Sequence, residues 1–138
     1  MKKKAYCLGV LLVASIFISC DSDDENVNTK WELFRMIGSN GVSNVGESME
    51  WREYYVFNDD ATFLKHRFDG VSTAEVQGAY TTQTESDGSI THELTFTDQN
   101  LVGSCESNLV EYLILNNQLL KNTWEICDGP RMEYLRVE

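Results

Sequence analysis

Short apolar and aromatic runs broken by turn-forming residues are the feature that most limits the fold of this chain. In the clearest run, from Ile90 to Thr97, apolar or histidine side chains alternate with polar ones, which places the two kinds on opposite faces of an extended strand. Trp51, Tyr55 and Phe57 share a face in the same way. No long stretch after the N-terminal segment has the periodicity of an amphipathic helix. The pattern predicts an all-β domain.

Eight strands are predicted from this alternation. They cover residues 30–37, 51–57, 62–68, 73–82, 90–97, 109–115, 119–127 and 131–137. Five connections carry the asparagine, aspartate and glycine that tight hairpins need. These are Asn58-Asp59-Asp60, Asp69-Gly70, Asp87-Gly88, Asn116-Asn117 and Asp128-Gly129-Pro130. Consecutive hairpins give an antiparallel meander that can close into an up-and-down barrel without free edges.

The N-terminal segment has the organisation of a signal peptide. Lysines at positions 2–4 precede an apolar stretch that ends at Ile18, which is too short for a permanent membrane span. The sequence Phe17-Ile18-Ser19-Cys20 resembles a bacterial lipobox, which implies that the Cys20 thiol receives a diacylglycerol group before cleavage. We therefore predict a lipoprotein signal peptide at residues 1–19 and a lipidated Cys20.

The mature chain that this cleavage would leave is strongly acidic. It keeps 8 of the 11 basic residues and all 22 acidic ones, so its net charge is −14. Its length suits one domain, placed at residues 30–138 after an acidic flexible tether at residues 20–29. A surface of this sign repels phosphate groups, which argues against nucleic-acid partners and against a basic membrane-binding patch. The membrane is predicted as a partner only through the lipid anchor.

Acidic residues follow the lipidated cysteine at Asp21, Asp23 and Asp24. They resemble the export tags of Bacteroidetes surface lipoproteins, whereas an aspartate at this place retains enterobacterial lipoproteins at the inner membrane. The first resemblance implies an anchor in the bacterial outer membrane, with the domain on the cell surface or, alternatively, in the periplasm. The glycine and the closing glutamate of a calcium loop are missing, so no metal site is predicted.

Cys105 and Cys127 are the two cysteines left after Cys7 leaves with the signal and Cys20 is acylated. An even pair in an oxidising compartment predicts a disulfide bond. If the sixth and seventh strands turn at Asn116-Asn117, the two cysteines also meet at the open end of that hairpin.

Five short motifs follow one another along the barrel region. They are Trp31, the hairpin from Tyr55 to Phe63, Gly78-Ala79-Tyr80, Gly103-Ser104-Cys105 and the segment from Cys127 to Tyr134. In this order they resemble the lipocalin-like lipoproteins of Bacteroidetes, small relatives of the calycin barrels. The resemblance covers most of residues 30–138 and implies an eight-stranded, lipocalin-like barrel.

A barrel of eight strands is just wide enough to be filled by its own side chains or to hold one small ligand. Aromatic and charged side chains on the predicted inward faces are the candidates for lining such a site. They are Trp51, Glu53, Tyr55, Phe57, Arg67, Tyr80, Phe96, Trp124 and Tyr134, with Phe63 and Tyr112 as further aromatic members. A packed core made of the same residues is the alternative interpretation.

Charged residues share a face with aromatic ones in the second hairpin. The pairs expected when Phe57 faces Phe63 are Glu53 with Arg67 and Tyr55 with Lys65. Such charges are costly inside a barrel unless they are paired or hydrated, and a hydrated pocket would use them to orient a ligand. The glycine- and serine-rich segment 38–50 is predicted to be a solvent-exposed loop or, alternatively, a gate over the open end.

The sequence offers little that is typical of an enzyme. Its two histidines are His66 and His92, and His92 falls on an apolar face where a hydrogen-bonded core histidine is usual. No serine lies in a Gly-x-Ser-x-Gly elbow, and oxidation of Cys105 and Cys127 would remove a thiolate nucleophile. We predict no catalytic residue, no cofactor and no enzymatic activity.

These features predict a lipid-anchored extracytoplasmic barrel that binds a small apolar or amphipathic ligand without covalent chemistry. The alternative is a structural or protein-interaction lipoprotein of the cell envelope, for example an inhibitor, that acts through its loops.

The lipid anchor is directly testable. Replacing the acylated thiol in Cys20→Ser should abolish labelling of the protein by radioactive palmitate, because the lipid has no other predicted site of attachment. Cells that express the unaltered chain provide the control. Continued labelling of the variant would refute the predicted processing.

Overall fold

Hairpins in sequence order close into an antiparallel β-barrel in the computed structural model, which describes residues 28–138. The strands are β1 (Thr29–Ile37), β2 (Ser43–Val45), β3 (Arg52–Phe57), β4 (Thr62–Phe68), β5 (Thr73–Thr84), β6 (Ile90–Phe96), β7 (Val110–Asn116), β8 (Leu119–Asn122) and β9 (Arg131–Val137). Short 3₁₀ helices, Gly46–Ser48 and Trp124–Cys127, lie in two connections. The predicted signal peptide, Cys20 and the tether as far as residue 27 lie outside the described residues.

Eight of these strands form the closed barrel, as the alternation predicted. β1 pairs with β3, each strand from β3 to β9 pairs with the next, and β9 returns to β1. The ninth strand, β2, was not predicted. It pairs with the end of β1 at Arg35–Ile37, where β3 no longer reaches, so part of segment 38–50 extends the sheet instead of forming an irregular loop.

The predicted seventh strand, residues 119–127, is wrong in its second half. β8 ends at Asn122, and a 3₁₀ turn follows. The Trp124 ring lies flat against the backbone of Gly129, where an added Cβ would come within 2.4 Å of the ring. Asp128 adopts a left-handed conformation with φ 69°, which turns the chain back beneath that ring. Packing of one tryptophan therefore ends the strand early.

The predicted register of the β7–β8 hairpin is also wrong. Asn117 and Gln118, both with positive φ, form the turn instead of Asn116-Asn117, and Leu113 consequently pairs with Asn122. The two cysteines lie outside both strands. Their disulfide is nevertheless present, with 5.5 Å between the Cα atoms, and it joins two connections rather than the end of a hairpin.

The two ends of the barrel differ in their connections. The loop end comprises the connections 38–51, 69–72, 97–109 and 123–130, two of which are joined by the Cys105–Cys127 disulfide. The turn end comprises the tight turns 58–61, 85–89 and 117–118, together with the start of β1 and the end of β9. No helix among the described residues is long and apolar enough to cross a bilayer.

Aromatic side chains form a cluster inside the barrel next to the turn end, and Phe96, the last residue of β6, extends this cluster towards the loop end. The Phe63 and Phe96 rings meet edge to face at 4.9 Å between centroids, and Phe57 meets Tyr80 at 4.8 Å. Gly78 pairs with both Phe63 and Phe96 in the register, and its missing side chain makes room for the Phe63 ring. An added Cβ would lie 2.0 Å from the Thr95 carbonyl oxygen and 2.6 Å from the Phe63 ring.

Substitution at Gly78 tests this packing. Gly78→Ala should lower the free energy of unfolding by about 3 kcal/mol, because a backbone oxygen cannot give way as a side chain would. In the control variant Gly41→Ala the added methyl group meets no atom within 4 Å, so only the positive φ of 77° opposes it. That control should cost roughly 1 kcal/mol. Equal losses in urea denaturation would contradict this account.

Candidate functional site

Ionisable side chains occupy the half of the interior nearest the loop end. The β3–β4 register places Glu53 opposite Arg67 and Tyr55 opposite Lys65, as the sequence predicted. Glu111 of β7 reaches the same region from across the barrel. Lys65 and Glu111 have no solvent exposure, and Glu53 retains only 3%. The barrel therefore contains a buried network of charges.

Lys65 lies at the centre of this network. Its Nζ donates hydrogen bonds to Glu111 Oε2 at 2.9 Å and to the Leu101 carbonyl oxygen at 2.7 Å. Glu53 Oε1 lies 3.5 Å from the same nitrogen. A buried ammonium is tolerated only when carboxylates and hydrogen bonds replace its water shell, and all three oxygens serve that purpose here.

Each carboxylate has further partners. Glu53 accepts hydrogen bonds from Tyr134 Oη and from Arg67 Nε, both at 2.6 Å. Glu111 accepts one from Tyr55 Oη and one from the backbone N–H of Gly103, the latter at 3.0 Å. Two carboxylates thus face two cations, so the network is electrically balanced.

Arg67 connects the network to the loop end. Its guanidinium lies over the Trp51 ring at 4.3 Å from the centroid, a cation–π contact. Its side chain is 18% exposed, whereas that of Lys65 is completely covered. Trp51 and Arg67 therefore form the boundary between the buried charges and the connections above them.

Burial and neighbouring carboxylates keep the two interior tyrosines protonated. Desolvation, followed by the negative charge of Glu111, raises the pKa of Tyr55 well above its ordinary value. Desolvation, followed by the charge of Glu53, does the same to the pKa of Tyr134. Both hydroxyls consequently act as neutral donors to the carboxylates over the physiological pH range.

The connection 97–109 covers this network at the loop end. It supplies the Leu101 carbonyl to Lys65 and the Gly103 N–H to Glu111. Leu101 is half-buried against the core and has φ 63°. This left-handed conformation costs a leucine about 1–2 kcal/mol, which the surrounding contacts must offset.

The residues predicted from the sequence to line a ligand site fall into three groups. Glu53, Tyr55, Arg67, Trp51 and Tyr134 belong to the charged network or adjoin it. Phe57, Tyr80 and Phe96 belong to the aromatic cluster, in which Phe96 also lies 5.6 Å from Lys65 Nζ. Trp124 packs at the loop end against Gly103 and Gly129. Ligand binding by these residues stays a prediction.

Sequence reasoning missed Glu111 and the covering segment. Tyr112 was grouped with the inward aromatic residues, but Glu111 and Leu113 are the fully buried side chains of β7. The sequence did contain a signal for this register, because Glu111, Leu113 and Leu115 alternate as regularly as Val110, Tyr112 and Ile114 do. Because a glutamate at a core position is costly, only its proximity to Lys65 makes that register favourable.

His92 lies on the apolar face of β6 as predicted, but it is only half-buried and its hydrogen bond is exposed, so it lies at the edge of the core rather than within it. Its Nδ1 lies 3.0 Å from Thr82 Oγ1, and its ring packs against Phe57 at 5.3 Å and Tyr80 at 5.9 Å. Burial lowers its pKa, so the imidazole is neutral near pH 7. Among residues 28–138, no three histidine, cysteine, aspartate or glutamate side chains are grouped so that they could hold a metal ion.

Open grooves lie on the outer wall of the barrel and at its turn end. One of about 520 Å³ separates residues 38–43 from residues 125–131, and one of about 420 Å³ lies beneath residues 46–52 beside Tyr54 and His66. A third, of about 800 Å³, adjoins Trp31 and the end of β9 at the turn end. None of these three is lined by Tyr55, Phe57, Phe96 or Tyr134.

Exposed apolar side chains are concentrated at the loop end. Of the six large ones found among the described residues, five lie in or beside its connections. They are Val42, Val45, Phe68, Val71 and Ile126, and we call this set the apolar rim. The sixth, Leu135, lies on β9 towards the turn end.

Comparison with known proteins adds no relative. No protein-family model matches the chain, and no match was found among curated proteins or solved structures.

The two buried tyrosines make stability depend on alkaline pH. The unfolded chain releases their protons near pH 10, whereas the folded chain retains them, so stability is complete below that pH and falls above it. Each tyrosine should contribute a fall of up to about 1.4 kcal/mol per pH unit. Urea denaturation from roughly pH 8 to 11 measures the slope, and Tyr55→Phe should reduce it. Identical slopes in the two proteins would contradict the assignment.

Proposed function

We propose that this protein is a lipid-anchored extracytoplasmic barrel that docks a partner protein of the cell envelope through its loop end. The apolar rim is the observation that supports this proposal. Isolated exposed apolar residues are ordinary, but their concentration at one end of a monomer is typical of an interaction surface. Val71 is 94% exposed and Ile126 is 81% exposed, so both side chains are available to a partner.

The charge of the loop end indicates the chemistry of the partner. Its four connections carry seven carboxylates and no lysine, arginine or histidine, and two of the seven, Glu47 and Glu125, pair with the adjoining Arg52 and Arg131 at 3.9 and 3.6 Å. The acidic residues are Glu47, Glu50, Asp69, Asp98, Glu106, Glu125 and Asp128. An apolar surface bordered by basic residues is complementary to this arrangement, because it would bury the rim while its charges meet the carboxylates.

The position of the start of β1 supports an orientation in which the loop end points away from the membrane. β1 begins at the turn end, so a lipid on Cys20 would hold that end near the bilayer. The loop end would then face away from the membrane, towards the medium on the cell surface or towards the periplasm. We propose the outer membrane as the location, with the domain on the cell surface or, alternatively, on the periplasmic side.

A small apolar or amphipathic ligand inside the barrel is the second candidate function. The buried charges favour it, since they lie where such a ligand would need orienting groups. These groups now bond to one another and to the covering segment 97–109. Binding in the interior therefore requires that segment to move.

Rim substitutions test the docking proposal. The double variant Val71→Asp/Ile126→Asp should weaken partner capture by at least about tenfold, because it places charge at the two most exposed apolar positions of the rim. Leu135→Asp is the matched control, since Leu135 is also exposed but lies away from the loop end. Capture is measured by cross-linking in intact producing cells, followed by quantitative mass spectrometry.

The docking proposal requires that one protein is captured in stoichiometric amount. Its recovery should be lost in the double rim variant, remain in Leu135→Asp and decrease with increasing salt concentration. Recovery that is equal from all three proteins would contradict the proposal. A native small molecule that co-purifies in stoichiometric amount, with no rim-dependent protein, would favour the second candidate instead.

A further inference from the structure

The covering segment meets the buried network through two main-chain groups. Lys65 Nζ donates to the Leu101 carbonyl at 2.7 Å, and the Gly103 N–H donates to Glu111 Oε2 at 3.0 Å. Among the described residues, Ser104 Oγ also accepts a hydrogen bond from the Glu106 N–H at 3.1 Å, at the edge of the segment. Two main-chain groups, the half-buried side chains of Leu101 and Val102, and the contact of Gly103 with the Trp124 ring therefore close the interior.

The two sides of this segment are fixed more firmly. Thr97 donates through its backbone N–H and its hydroxyl to the Gln77 carbonyl, each at 3.0 Å. On the other side, the disulfide ties Cys105 to Cys127. Residues 98–104 are thus a flap held between a strand end and a covalent bond, and the flap can lift without loss of either attachment.

We propose that this flap is displaceable and that the interior beneath it binds a small amphipathic molecule with an amide group. The ligand carbonyl takes the place of the Leu101 carbonyl at Lys65 Nζ. Its amide N–H takes the place of the Gly103 N–H at Glu111 Oε2. An aliphatic group on the ligand occupies the volume that the Leu101 side chain leaves.

The charge balance of the network selects a neutral amide over a charged ligand. Glu53 and Glu111 already match Lys65 and Arg67, so a carboxylate or an amine would leave one unpaired charge in a buried site. An amide replaces both main-chain groups of the flap one for one. N-acylated amino-acid amides and short apolar peptides belong to this class.

The inference deepens the second candidate function, binding inside the barrel, and rests on it; it does not depend on docking at the apolar rim. Neither Leu101 nor Gly103 belongs to the rim, and the backbone N–H groups of Val71 and Ile126 donate to Asp69 and Thr123 rather than to the flap. Failure of one proposal therefore leaves the other standing.

Hydrogen exchange in the unaltered full chain is the first test. The Gly103 amide should exchange at least about tenfold faster than the amides of Leu94 and Leu113, although all three residues are buried. Leu101→Ala removes the apolar anchor and keeps the strained backbone, so exchange at Gly103 should become faster still. Gln99→Ala, an exposed position in the same flap, is the control and should change nothing.

Binding of N-octanoyl-L-leucinamide, followed by titration calorimetry, is the second test. Affinity should rise about tenfold in Leu101→Ala and remain unchanged in Gln99→Ala, because the ligand competes with the flap. The acid analogue, N-octanoyl-L-leucine, should bind more weakly than the amide to every one of these proteins. If Leu101→Ala does not fold, the exchange rates and the amide–acid comparison in the unaltered chain decide the question.

Two results would overturn the proposal. One is protection of the Gly103 amide in the unaltered chain equal to that of Leu94 and Leu113, which means that the flap does not open. The other is binding of the acid as tight as that of the amide, which means that the probe does not use the balanced network.

Discussion

The buried ammonium of Lys65 is the constraint on which the rest of the loop-end half depends. A charge without solvent exposure is stable only when its water shell is replaced, and Glu111, Glu53 and the Leu101 carbonyl replace it. These partners come from β7, β3 and the connection 97–109. One side chain on β4 thereby fixes how three distant parts of the chain meet.

Satisfying that charge occupies much of the interior. The charged network adjoins the aromatic cluster around Phe57 and Phe63, and Lys65 Nζ lies 5.6 Å from the centre of the Phe96 ring. The sites that we propose for binding other molecules are the apolar rim and an interior that opens. The two possibilities use different residues, and both lie at the end opposite the start of β1.

Much of the fold was predictable because it depends on local patterns. Alternating side chains located the eight barrel strands, and the aspartate-rich turn after Phe57 fixed the β3–β4 register that places Glu53 opposite Arg67. Errors occurred where a distant contact overrides the local pattern. Trp124 packs on Gly129 and ends β8 early, and β2 forms because the end of β1 has no other partner on that side.

The sequence by itself determined an all-β chain, its hairpins, its acidic surface and the pairing of Cys105 with Cys127, since alternation, turn chemistry and cysteine number can be read locally. Only the tertiary structure decided which charged residues meet. Glu111 stands 46 positions from Lys65 and Glu53 stands 81 from Tyr134, and no local pattern connects residues so far apart. Barrel closure brings them within hydrogen-bonding distance, because inward side chains of opposite walls share one narrow interior.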